Sequence, residues 1–164
     1  MGTPFSDIYQ LFLSQIKVFD IAEVFSKAKK AYESGIPEEI ALADASIKDI
    51  ESNMQYWLMS SIGHFGNCTK DLRKPDLILA QFNDELSFEE QNILAKYMAF
   101  SYILTHVITE TNLKQSLNSK DYRMYSPANQ LKALQGLRDS LYSEANSLKT
   151  QYSYNIHSVK EFFK

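Results

Sequence analysis

Few residues in this chain have types and spacing that could do chemistry. His64 and Cys68 stand four apart, which would place an imidazole and a thiol together near a helix end, where they could share a metal ion. A structural zinc needs four ligands and no third stands nearby, so the pair is expected to hold no metal. Cys68 could also serve as a nucleophile with His106 or His157 as its base, but no flanking signature marks such a pair. Glu89 and Glu90 are adjacent carboxyl groups, and their place just after Ser87 makes them helix-start residues rather than an acid–base couple. The chain has no phosphate-binding glycine loop, dinucleotide fingerprint, zinc-type cysteine spacing or G-x-S-x-G elbow. The expectation is a protein without catalytic residues, cofactor or metal, and not an enzyme.

The stretch from Leu86 to Glu110 is what any such residues would be positioned by. Ser87 precedes Glu90 by three, the capping-box spacing, in which the hydroxyl and the carboxyl each satisfy a backbone N–H at a helix start. Glu89 and Glu90 also place acid in the first turn, where the helix dipole favours it. Behind them Ile93, Leu94, Tyr97, Met98, Phe100, Tyr102, Ile103, Leu104, Val107 and Ile108 spread around nearly the whole circumference. A surface helix carries one apolar stripe, so a helix apolar on most sides is buried. Lys96 and His106 interrupt the apolar run, which argues against a membrane span. The predicted fold is all-α: a helical bundle with this helix at its centre, a long C-terminal helix and an extended or helical C-terminal arm.

The other elements follow in order. Thr3-Pro4 predicts a capped helix over 4–16, with Phe5, Ile8, Leu11, Phe12 and Ile16 on one face. Asp20 is expected to cap a second helix over 21–33, ended by Ser34-Gly35-Ile36-Pro37. Residues 38–43 are a turn of helix or a connector. A clearer helix runs from Asp44 to about Phe65, burying Ile47, Ile50, Met54, Trp57, Leu58, Ser61, Ile62 and Phe65. Gly66-Asn67 ends it, and in the connection that follows Leu77-Ile78-Leu79 is extended or helical. Asn112–Tyr125 is polar, rich in tyrosine and without clear period, which predicts a binding loop. Ser126-Pro127 then opens a helix whose Leu131, Leu134, Leu137, Leu141, Ala145, Leu148 and Tyr152 step along one stripe. That stripe is expected to pack on the central helix rather than to dimerise as a coiled coil. Residues 1–152 form the helical domain and 153–164 an arm.

With 164 residues, 45% hydrophobic and 23% charged, the chain has the make-up of one ordinary globular domain. A single cysteine excludes an intrachain disulfide, and the N-terminus lacks the basic region and apolar run of a signal peptide. The net charge of −3 is unevenly divided: residues 112–164 hold eight basic and four acidic groups, so residues 1–111 carry −7. An acidic front and a basic back could attract each other within the fold or between neighbouring copies. The basic groups are too dispersed for a nucleic-acid stripe. The ten tyrosines, many in polar segments, suggest contact surfaces. Beyond Tyr152, the residues Tyr154, Ile156, Val159, Phe162 and Phe163 are too apolar for a free tail and too sparse for a core of their own. The arm is therefore expected to dock, on a partner or back on its own domain.

Three stretches carry a resemblance: FSDIYQLFLSQIKVFDIAE at 5–23, QFNDELSFEEQNILAKYM at 81–98 and NLKQSLNSKDYRMYSPANQLKALQ at 112–135. The chain resembles the small head–tail connector or adaptor (neck) proteins of tailed phages infecting Firmicutes. The likeness covers the N-terminal helix and most of 45–154. Residues 24–47 look like an insertion relative to shorter members, and the tail beyond Tyr154 is unmatched. The resemblance implies a non-enzymatic virion protein at the head–tail interface, made in the host cytoplasm and away from membranes. It implies a homo-oligomeric, commonly dodecameric, ring under the portal protein that offers a surface to a stopper or tail-completion protein, with DNA only as passing cargo. Partner-binding residues are then expected in the polar loop, at Tyr122 and Tyr125, and in the arm, at Tyr154, Ile156, Val159, Phe162 and Phe163. The rival from another class is a cytosolic helical regulator or adaptor acting as a monomer or dimer.

Overall fold

The computed structural model describes residues 2–16, 19–116 and 127–156, apart from the side chains of residues 19, 20, 113–116, 127 and 128. It is mostly helical, with 79% helix, five helices and one tiny two-stranded sheet among the described residues. In order these are β1 (Thr3–Pro4), α1 (Phe5–Gln15), α2 (Phe19–Ser34), α3 (Pro37–His64), β2 (Gln81–Phe82), α4 (Phe88–Ser116) and α5 (Pro127–Ile156). The all-α bundle expected from the sequence is what forms. No helix among the described residues is long and apolar enough to cross a membrane.

α4 is the central helix, packed against α1, α3 and α5. Ile93, Leu94, Ala95, Tyr97, Met98 and Ala99 are fully buried in succession, which takes contact on nearly every side. The capping box closes as its spacing predicts. The Ser87 N–H donates to Glu90 Oε2 at 2.7 Å, and the Glu90 N–H donates to Ser87 Oγ at 3.2 Å. The helix does not stop at Glu110. It continues through Ser116, so Asn112–Ser116 is helical where a loop was expected; residues 117–126, with Tyr122 and Tyr125, lie outside the described residues.

Three other expectations fail at helix starts. Thr3 does not cap α1. Pro4 occupies the N-cap position without a side-chain bond, and Thr3 belongs to β1, antiparallel to β2 with Thr3 opposite Phe82. The Thr3 hydroxyl donates to the Asp84 carbonyl and accepts the Leu86 N–H at 2.7 Å, pinning the N-terminus to the entry of α4. Gly2 permits that approach, since a Cβ there would lie 2.3 Å from the Phe82 carbonyl oxygen. Asp20 lies inside α2, which already begins at Phe19. Gly35, at φ +69°, ends α2 in the left-handed conformation that glycine adopts freely. Pro37 then starts α3 as a first-turn residue, and α3 runs without a break at Asp44.

α5 lies antiparallel along α4, as its stripe implies. Leu141, Ala145 and Tyr152 are buried, but Leu137 is exposed. Lys96 pairs with Glu144 at 2.8 Å, and the Tyr97 hydroxyl donates to Asn146 Oδ1 at 2.8 Å. The helix passes Tyr152 and continues to Ile156, so the first four residues of the expected arm extend α5.

The α2–α3 hairpin differs from the rest. Ile21, near the base of α2, joins the main core, but farther out the interior is only Ala28, Ala31 and Ala43 with Ile47 against them. Its large apolar side chains face outward instead: Phe25, Ile36 and Leu42 are exposed.

Candidate functional site

The end of the bundle where α4 begins gathers most of the chemistry-bearing groups. Glu90 is buried, and both of its carboxyl oxygens are used. Oε2 caps α4 through the Ser87 N–H; Oε1 accepts the Tyr152 hydroxyl at 2.6 Å and the Cys68 thiol at 3.7 Å. The same Tyr152 oxygen meets Thr69 Oγ1 at 3.1 Å and accepts the Thr69 N–H at 3.3 Å. Phe65 sits edge-on to the Tyr152 ring, 5.1 Å between centroids. The cluster ties the end of α5, the start of α4 and the connection after α3 to one another. Asn67 reinforces it by donating to Ser153, as does Asn155 by donating to Glu89 at 3.5 Å.

The electrostatics keep the phenol and the thiol of this lock in their neutral forms. Burial, with the Glu90 hydrogen bond second, pushes the Tyr152 phenol up to about 12. Burial likewise raises the Cys68 thiol, which moves it away from thiolate and from nucleophilic use. His64 turns into the aromatic cluster, stacked on Tyr97 at 5.2 Å and edge-on to Phe100 and Tyr142. Burial, and then the nearby Lys149, lowers its pKa. His106 packs on Tyr102, sixteen residues along α4 from the carboxyl that Cys68 meets, about 24 Å away at helical rise. Cys68 and His106 are thus not brought together, and His157 lies outside the described residues. Among the described residues no group of three or more His, Cys, Asp or Glu could hold a metal ion.

Raised phenols give a pH signature. Burial holds Tyr97 and Tyr9 at about 12 as well. A phenol that titrates near 10 when unfolded and near 12 when folded contributes stability in full below pH 10, and that contribution is lost as pH rises through 12. Each such tyrosine is worth about 2–3 kcal/mol across that window. The protein should therefore hold its melting temperature from neutral pH to about pH 10 and lose it steeply above. Tyr152→Phe should flatten part of that fall. An alkaline titration in which all tyrosines ionise freely near pH 10 would contradict this arrangement.

Near the lock some large apolar side chains are exposed among polar ones. Tyr154 is 75% exposed and Ile156 also reaches solvent, both on the last turn of α5, and Phe88 is exposed on the first turn of α4. Of the expected partner-binding residues these two on α5 are placed, and Val159, Phe162 and Phe163 lie outside the described residues. Leu77, Ile78 and Leu79, expected to be extended or helical, form an exposed turn, with Ile78 95% exposed. The turn is built firmly. Asp76 Oδ1 accepts the N–H groups of Ile78 and Leu79, both at 2.9 Å, and Asp76 and Gln81 exchange backbone hydrogen bonds of 2.8 and 3.0 Å. The Phe5 N–H donates to the Ala80 carbonyl at 2.9 Å, fastening the turn to α1. Pro75-Asp76 was the available signal, since an aspartate that bonds its own backbone two residues on makes a turn.

Comparison with protein-family models, with curated proteins and with solved structures finds no match for this chain.

Proposed function

We propose that this chain is a non-enzymatic structural subunit of the head–tail connector kind, standing under a portal ring in a virion and joining head to tail. The reading draws on the resemblance at 5–23, 81–98 and 112–135, and the observation that carries it is the exposed aromatic side chain at the α5 end. Tyr154 is exposed on a helix end that the Glu90–Tyr152–Thr69 cluster holds rigid. An aromatic side chain presented without loss of its own freedom is the kind of anchor that dominates interfaces. In this reading Tyr154 and Ile156 lead into Val159, Phe162 and Phe163, and together they meet the portal. Lys160 and Lys164 add an attraction to acidic groups that counts for less than the aromatic anchors.

Truncation after Ile156, combined with Tyr154→Asp, should leave the helical content and melting temperature nearly unchanged. Binding to portal rings of Firmicute-infecting tailed phages should weaken at least tenfold, measured by co-sedimentation. A truncated variant that binds with unchanged affinity would remove the α5 end from the interface. A full-length chain that binds no such portal would remove the connector reading itself.

A further inference from the structure

We propose that the cleft between α2, α3 and α4 binds a small, uncharged aromatic molecule that carries a hydrogen-bond donor, of the phenol or indole class. The cleft has a volume of about 390 Å³, inside the roughly 300–1,000 Å³ of small-molecule sites. Ile21 and Val24 of α2 and Ile50 of α3 give it aliphatic lining, and Trp57 of α3 and Tyr102 of α4 give it aromatic lining. Three helices contribute, so a guest is held from more than one side.

The lining selects for charge, for ring type and for polarity in turn. None of its described residues is an Asp, Glu, Lys or Arg, so an ion entering would shed its water without gaining a counter-charge. Tyr102 stands edge-on to Trp57, 79° between planes and 5.0 Å between centroids, and edge-on to His106 at 4.5 Å. Trp57 and His106 are only half-buried, so both rings still have surface to offer. A guest ring can extend that tilted packing, a contact that favours an aromatic ring over an aliphatic one of equal area.

Polarity is set at the edge of the cleft. The Thr105 hydroxyl already donates to the Ser101 carbonyl at 3.0 Å, which leaves its oxygen to accept. Asn53 and His106, also on the lining, can accept as well. A few polar groups at the margin of an apolar site are what orient a ligand there, and here they call for a donor on the guest. Tyr102 lies twelve residues from Glu90, about 18 Å along α4, so the cleft shares no residue with the proposed portal surface and stands or falls without it.

Trp57 is the only tryptophan in the chain, so its fluorescence reports on this cleft. Phenol should change that emission in a saturable way, with a dissociation constant on the order of 1 mM. Toluene lacks the donor, cyclohexanol lacks the aromatic ring and benzoate is charged; each should bind about tenfold more weakly. Thr105→Val alters an exposed residue, keeps its shape and removes the acceptor. It should weaken phenol about fivefold, leave toluene unchanged and leave the circular dichroism spectrum intact. Val24→Phe should fill the cleft and abolish binding of both. Emission that does not saturate with phenol at about ten times that constant would overturn the proposal. Equal binding of all four probes, or a Thr105→Val chain that loses toluene and phenol alike, would overturn it too. A tyrosine-containing peptide bound at least about tenfold more tightly than phenol would give the cleft to a protein partner's side chain instead, and would overturn the small-molecule assignment.

Discussion

Ile103→Asp should leave this protein unfolded at ordinary temperature. Ile103 is 4% exposed on the helix that every other part of the main core packs around. A carboxylate there has no water, and Tyr102, Met98 and Val107 nearby on α4 are all buried. Burying an unpaired ionised group costs far more than a neutral polar one, and even the latter costs about 2–7 kcal/mol. A domain of this size has about 5–15 kcal/mol to lose, so the variant should show little cooperative melting. Ile108→Asp is the control. It lies on the same helix with its side chain half exposed, and should stay within about 1 kcal/mol of wild type. Chemical denaturation followed by circular dichroism separates the two. Equal midpoints would mean that α4 does not occupy the centre of the bundle.

Glu90→Ala should cost about 3 kcal/mol, because one side chain serves both a helix cap and a clamp between helices. It removes the acceptor for the Ser87 N–H, for the Tyr152 hydroxyl and for the Cys68 thiol at once. At about 2–4 °C per kcal/mol for a domain of this length, the melting temperature should fall by about 6–12 °C. Tyr152→Phe alone should cost less: Thr69 loses both of its contacts to the phenol oxygen, but Glu90 keeps the Ser87 N–H and the ring still packs on Phe65. The two changes together should fall short of their sum by about 1 kcal/mol. Strict additivity in that cycle would mean that carboxyl and phenol do not share a hydrogen bond.

The legibility of these features differs from residue to residue. Ser87 and Glu90 announced their cap because the partners are three apart, and local spacing is what a sequence displays. The second duty of Glu90 was hidden: Tyr152 lies sixty-two residues away, and nothing local to either residue names the other. The central helix was legible from its all-round apolar pattern, and the α5 stripe from its steps of three and four. Asn112–Ser116 reads as loop because its polar sequence shows no apolar period, yet the backbone there continues α4. In the sequence Pro37 reads only as a stop for α2. The same residue also opens α3, because its missing N–H is no loss in a first turn. Thr3 and Phe82 pair over too few residues for any alternation to show. The apolar turn was visible as three residues in a row, but its outward direction is set by Asp76 and Ala80 in the folded chain.

The β1–β2 pairing also bears on how the protein is made. Phe5, Ile8 and Phe12 are fully buried, yet what covers them includes Phe82, Trp57 and Tyr102. Thr3 finds both of its hydroxyl partners only at Asp84 and Leu86. A ribosome adding about 5–20 residues per second needs about 4–16 s to travel from the first of these segments to the second. During that interval α1 is an apolar helix with nowhere to go, and it must wait for the start of α4 to emerge. α1 therefore docks well after it is made, and the nascent chain is most open to aggregation before residue 86 leaves the exit tunnel.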